Sequence, residues 1–91
     1  MATALDLDRP YGLHPQVAVR PEPFGALLYH FGTRRLSFLK DRRLLAVVRA
    51  LDEAPTARAA CAAAGVGTEQ LAAYARALAT LAETHMIEDR G

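Results

Sequence analysis

The chain has 91 residues, 11 Lys+Arg against 10 Asp+Glu for a formal net charge of +1, and a hydrophobic fraction of 52%. That length makes one domain rather than two and buries roughly two-thirds of the surface that the unfolded chain exposes, while the near-neutral charge marks no class of partner by itself. The single cysteine excludes an internal disulfide and leaves a cysteine-based zinc site without ligands. The longest apolar runs fall far short of the ~20 residues of a membrane span. The start, Met1-Ala-Thr-Ala-Leu-Asp-Leu-Asp8, has neither the basic end nor the apolar core of a secretion signal. The expectation is a cytoplasmic protein with no membrane partner.

In chain order, residues 1–13, with Pro10 and Gly12, read as a flexible N-terminal arm, followed by a single domain over 14–88 and a short tail over 89–91. Residues 16–20 are short and β-branched and read as a first strand, stopped by Pro21 and Pro23, which cannot donate to a ladder. Residues 24–39 read as a hairpin. Gly32-Thr33 suits a two-residue type II′ turn, which wants glycine at its first central position. A turn there sets Phe31 opposite Arg34, Tyr29 opposite Leu36 and Leu27 opposite Phe38, with His30 opposite Arg35 and Leu28 opposite Ser37. One face is then apolar except at its open end and the other largely polar, and a one-residue slip would mix them.

After Leu39 the apolar period changes from two to 3.6. Asp41 is placed as an N-cap, followed by Leu44, Val47, Val48 and Leu51 on one stripe, and Asp52-Glu-Ala-Pro55 ends the helix. Thr56 caps a second helix that runs through Ala64 and stops at Gly65. Thr68 is placed as the cap of a third helix, with a stripe of Leu71, Tyr74, Ala75, Leu78, Leu81 and Ala82, after which Met86 and Ile87 fold back onto the core. The resulting fold class is α+β: a three-stranded antiparallel sheet followed by three helices, winged helix-turn-helix-like.

Catalysis finds no residues. Cys61 shares a stripe with Ala57, Ala60 and Ala64, the place of a small buried apolar side chain. His14, His30 and His85 match no metal-ligand spacing, and Asp52-Glu53 and Glu88-Asp89 are terminal, solvated pairs. There is no phosphate loop, nucleophile elbow or zinc-protease motif. The expectation is a non-enzyme without cofactor or metal.

A winged-helix DNA-binding regulator is the alternative function. The outward positions of the third helix are Glu69, Gln70, Ala72, Ala73, Arg76, Ala77, Thr80 and Glu83. Arg76 is their one cation, set against two glutamates, where a reading helix needs several side chains that reach bases and phosphates. No nucleic-acid partner is expected.

A peptide fits the same surface better. In a simple meander the outer edge of residues 34–39 lacks a partner, and such an edge is either blunted by charge or used as a template for another strand. Arg34, Arg35, Lys40, Arg42, Arg43 and Arg49 lie close in sequence, opposed by Asp41 alone, and make a local positive field. The same open edge could pair two copies, so a monomer or weak homodimer is expected.

The segment from His14 to Leu39, above all Arg20-Pro-Glu-Pro-Phe-Gly25 and Thr33-Arg-Arg-Leu36, strongly resembles the precursor-peptide chaperones of mycofactocin biosynthesis. These belong with the pyrroloquinoline-quinone peptide chaperones and the wider class of RiPP recognition elements. The likeness spans roughly residues 13–87. It implies a non-catalytic chaperone whose leader peptide adds as a strand to the third strand, here Arg34, Arg35, Leu36, Ser37, Phe38 and Leu39. The leader would lie against the third helix, here Gln70, Ala73, Tyr74, Ala77 and Leu81. It further implies presentation of that peptide to a radical S-adenosylmethionine maturase. The iron–sulfur chemistry would belong to the maturase, since this chain has no cysteine set for a cluster.

Overall fold

A computed structural model of the chain describes residues 5–91. Among the described residues nine short elements follow one another: β1 Tyr11–Leu13, β2 Val17–Glu22, β3 Gly25–His30, β4 Leu36–Leu39, α1 Arg42–Leu51, α2 Ala57–Ala63, a 3-10 turn Thr68–Gln70, α3 Leu71–Glu83 and β5 Ile87–Asp89. The fold is α+β. A three-stranded antiparallel sheet in the order β2-β3-β4 carries the helices on one face, and β1 and β5 form a separate two-stranded ribbon.

The hairpin register is the one that alternation predicts: Tyr29 pairs with Leu36, Leu28 with Ser37 and Leu27 with Phe38. The turn that sets it is different. Arg34 N donates to His30 O (2.7 Å) and His30 N to Arg35 O (2.9 Å), so four residues, Phe31 to Arg34, close the loop. The positive φ (62°) falls on Arg34, not on Gly32. The His30 ring supplies what the glycine was expected to provide, because its Nδ1 accepts from Gly32 N (3.0 Å) and Thr33 N (3.1 Å). That imidazole is buried, and its Nε2 has no hydrogen-bond partner among the described residues.

Burial lowers the His30 pKa, and the neighbouring His14 and His85 push in the same direction. A protonated ring would also lose the acceptor that ties down the loop. With its folded pKa depressed, His30 contributes stability that is complete above the unfolded value of 6.5 and is lost as pH falls below it toward the folded value. The thermal midpoint should therefore drop between pH 7.5 and 5, and His30→Gln, less stable at neutral pH, should flatten that slope. An equal slope in both proteins would remove His30 as the cause.

The first strand does not stop at Arg20 but runs through Pro21 to Glu22. Phe31 N donates to Gln16 O, and the alternation of an antiparallel ladder from that bond puts the Pro21–Ala26 pair at a non-hydrogen-bonded position. The missing N–H therefore faces the outer side of an edge strand, where proline is tolerated. Of the arm expected over 1–13, the described part is tied down. Leu13, Gly12 and Tyr11 pair with Ile87, Glu88 and Asp89, Leu5 N donates to Ala75 O, and Arg9 bridges to Asp89 at 3.0 Å. Residues 1–4 lie outside the described residues.

Asp41 caps α1 by accepting from Arg43 N (2.8 Å), and Thr56 caps α2 by accepting from Ala59 N (3.1 Å). Thr68 does not cap α3; it opens the 3-10 turn that leads into it. Helices α2 and α3 end in the same way, with crossed bonds from Val66 N to Cys61 O and from Met86 N to Leu81 O. The left-handed residue is Gly65 in one case and His85 in the other. Val47, Val48, Leu51, Ala57, Ala60, Cys61, Leu78, Met86 and Ile87 close against Ala26, Leu28 and Leu39 of the sheet to make the core. No helix among the described residues is long and apolar enough to cross a membrane.

An apolar strand face ordinarily turns toward the core. Here the buried face is Ala26, Leu28, His30 and Leu39, while Leu36 and Phe38 project outward.

Candidate functional site

β4 pairs with β3 on one side, and its other side is the open edge of the sheet. His30 and Arg35 form a hydrogen-bonded position, so by alternation Ser37 and Leu39 also turn their backbone groups inward, to Leu28 and Ala26. The N–H and C=O of Leu36 and of Phe38 consequently point away from the sheet. Proline-free and extended, they have no ladder partner among the described residues and are in position to receive another strand.

Beside the end of β4 lies an open cleft of about 290 Å³, lined by Lys40, Asp41 and Leu44 on one side and by Ala73, Tyr74 and Ala77 of α3 on the other. That volume sits at the low end of the roughly 300–1,000 Å³ of ligand pockets, room for a side chain or two rather than a cofactor. The alanines make the wall shallow. Tyr74 makes it rigid, because its hydroxyl donates to Asp41 Oδ2, so one carboxylate both caps α1 and anchors α3 beside the strand. The Tyr74 hydroxyl and the backbone N–H groups of Arg43 and Leu44 hold the Asp41 carboxyl below its ordinary pKa, and the same bond raises Tyr74.

Of the residues that sequence reasoning put at this place, Leu36 and Phe38 hold the open edge, and Ala73, Tyr74 and Ala77 line the cleft. Arg34 and Arg35 are exposed in the loop that precedes β4 and are not part of the strand. Gln70 is exposed at the start of α3, 3.5 Å from Arg43 Nη1. Ser37 is half-buried, and Leu39 and Leu81 point into the core. Lys40, Asp41 and Leu44 were missed as cleft residues, although the capping role of Asp41 already fixed where α1 begins.

None of Arg34, Arg35, Lys40, Arg42, Arg43 and Arg49 forms an ion pair among the described residues. Arg42 is spent on the Pro23 carbonyl, which its Nη2 reaches at 2.9 Å. Cys61 is buried, and burial raises its pKa, the reverse of a reactive thiol. No group of three or more His, Cys, Asp or Glu among the described residues could hold a metal ion.

Comparison with known proteins gives one consistent result. Residues 10–88 match the Peptide chaperone MftB family. A "Peptide chaperone MftB" of Mycobacterium ulcerans is 63% identical over 86 residues, covering 94% of this chain and 79% of the relative. The protein of the same name from Mycobacterium tuberculosis is 56% identical over 89 residues (98% and 82%), and that from Mycolicibacterium smegmatis 57% over 82 residues (90% and 80%). No solved structure matches. With the match running through the sheet, the cleft and all three helices, the chain belongs to the Peptide chaperone MftB family, a family of chaperones rather than enzymes.

Proposed function

We infer that this chain carries the leader of a ribosomally made precursor peptide as an added strand on β4 and presents it to a radical S-adenosylmethionine maturase in mycofactocin-type cofactor biosynthesis. The observation that carries the reading is the open edge at Leu36 and Phe38 beside the cleft on α3. Backbone pairing to that edge supplies affinity with little sequence information, and a side chain seated against Leu44, Ala73 and Ala77 supplies selection. Strand pairing also gives the peptide one direction of exit, which raises the effective concentration of its far end at the next active site. Arg34 and Arg35 at one end of β4 and Lys40 at the other favour an acidic leader. Ordering a flexible peptide offsets part of this gain, which leaves a dissociation constant of about 0.1–10 μM, or roughly −7 to −10 kcal/mol.

The test is a titration with the short peptide encoded beside this gene, followed residue by residue by NMR. Shifts should gather at residues 36–41 and 70–77, and a footprint elsewhere would sink the reading. Charge reversal of both Arg34 and Arg35 to Glu should weaken binding by about 1–2 kcal/mol at low salt, with the deficit shrinking as salt rises and exposed charges are screened beyond about 10 Å. Binding that ignores both salt and charge reversal would leave the acidic character of the leader without support. The exposed positions of α3 and of the 3-10 turn before it still set one arginine, Arg76, against two glutamates, Glu69 and Glu83, a poor pattern for DNA.

A further inference from the structure

The four large apolar side chains that are exposed among the described residues are Phe24 (46%), Phe31 (61%), Leu36 (55%) and Phe38 (59%). All four belong to the β3–β4 hairpin and its flanking loops, on the side of the sheet away from the helices. They are not scattered. Phe24 lies 6.4 Å from Phe38, and Phe31 packs edge-on against Tyr29 at 5.0 Å between ring centroids. The register puts half-buried Leu27 beside Phe38 and Tyr29 beside Leu36, which joins the two pairs into one patch. Contiguous exposed patches of this kind mark interaction surfaces, and aromatic anchors dominate their energetics. Arg34 and Arg35 stand at the rim without acidic partners among the described residues, while Arg20, across from Leu27, is paired with Glu22.

We propose that this outer face is the docking surface for the enzyme that receives the carried peptide, met by an apolar surface rimmed with carboxylates. The inference rests on the peptide-carrier reading above. Leu36 and Phe38 belong to both surfaces: their backbones face the open edge and their side chains face outward. A strand added to β4 continues the sheet, so its alternate side chains stand in line with Leu36 and Phe38 on the outer face. The inner face is closed by the helices. The outer face is thus the side from which peptide and carrier can be read together, and its unpaired cations select an acidic rim.

The experiment measures two affinities for the wild type and for the double variant Phe24→Ser, Phe31→Ser, whose positions lie off the strand-pairing edge. One is for the leader peptide; the other is for the purified maturase at saturating peptide. Circular dichroism and the thermal midpoint check that the variant is folded. The expected result is peptide affinity within twofold of wild type and maturase affinity reduced tenfold or more, with wild-type docking weakening as salt is raised. Maturase affinity within twofold of wild type overturns the proposal, as does salt-insensitive docking. A wild-type dimer that the variant dissolves overturns it too, by giving the patch to a second copy. Loss of peptide binding in a folded variant overturns it by giving the patch to the peptide. A wild type that docks through the patch yet binds no peptide would support the surface while removing the carrier reading.

Discussion

Replacing Gly25 by alanine should cost about 3–5 kcal/mol, a large share of the fold's stability. The residue opens β3 with φ +153°, and a Cβ there would collide with the Leu39 carbonyl oxygen and stand 3.2 Å from Asp41 N. Both obstacles are backbone and cannot swing aside. Strain at a conformation hostile to L side chains is worth about 1–3 kcal/mol, and overpacking a closed site about 1–3 more, against a total stability of roughly 5–13 kcal/mol for a domain of this length. Gly65 is the control. Its φ is +85°, but nothing lies within 4 Å of its Cβ position, so Gly65→Ala bears only the conformational cost of about 1 kcal/mol. Denaturant titration of both variants compares them directly. If Gly25→Ala proved as mild as Gly65→Ala, the close approach of Gly25 to the backbone at the end of β4 would be wrong, and with it the position of the cleft.

Proline at Leu36 should separate holding from folding. The Leu36 N–H points off the sheet, so the substitution removes no ladder bond and sits where edge strands accept proline. The same ring takes away one donor and blocks the approach of a partner strand, a loss of about 2–3 kcal/mol, or roughly 30- to 150-fold in peptide affinity. Ser37→Pro reverses the pattern. Its N–H faces Leu28 across the ladder, and its loss should cost about 3 kcal/mol of stability. Calorimetric titration with the leader peptide, beside the thermal midpoint of each variant, reads both effects. A folded Leu36→Pro protein that bound peptide as wild type does would remove strand addition as the mode of grip.

What was legible in the sequence follows the range of each signal. The pairing of Tyr29 with Leu36 and of Leu27 with Phe38 was readable because a slip by one residue mixes the faces. The turn was not, because its organiser is a buried imidazole: the His30 ring accepts two loop N–H groups, a task that no turn residue advertises. Alternation also distinguishes two faces without saying which is covered. Phe38 and Leu36 look like core and are surface, since three β-branched or aliphatic residues, Val47, Val48 and Leu51, close on Leu28 from the other side. β1 and β5 are three residues each, too short to carry a period. On α3 the alanine-rich flanks are alike in composition, and Tyr74 distinguishes them only once Asp41 is known to receive its hydroxyl.

The brevity of β4 bears on timing. A strand of four residues, Leu36–Leu39, turns only the groups of Leu36 and Phe38 outward, so a guest strand finds few rungs to climb. With encounter rates of about 10⁵–10⁷ M⁻¹s⁻¹ and a dissociation constant near 1 μM, the guest would leave at roughly 0.1–10 s⁻¹. A longer edge would hold for minutes and become a sink. On the strand-addition reading, this one would empty within roughly 0.1–10 s, so that one carrier would serve many peptides in turn.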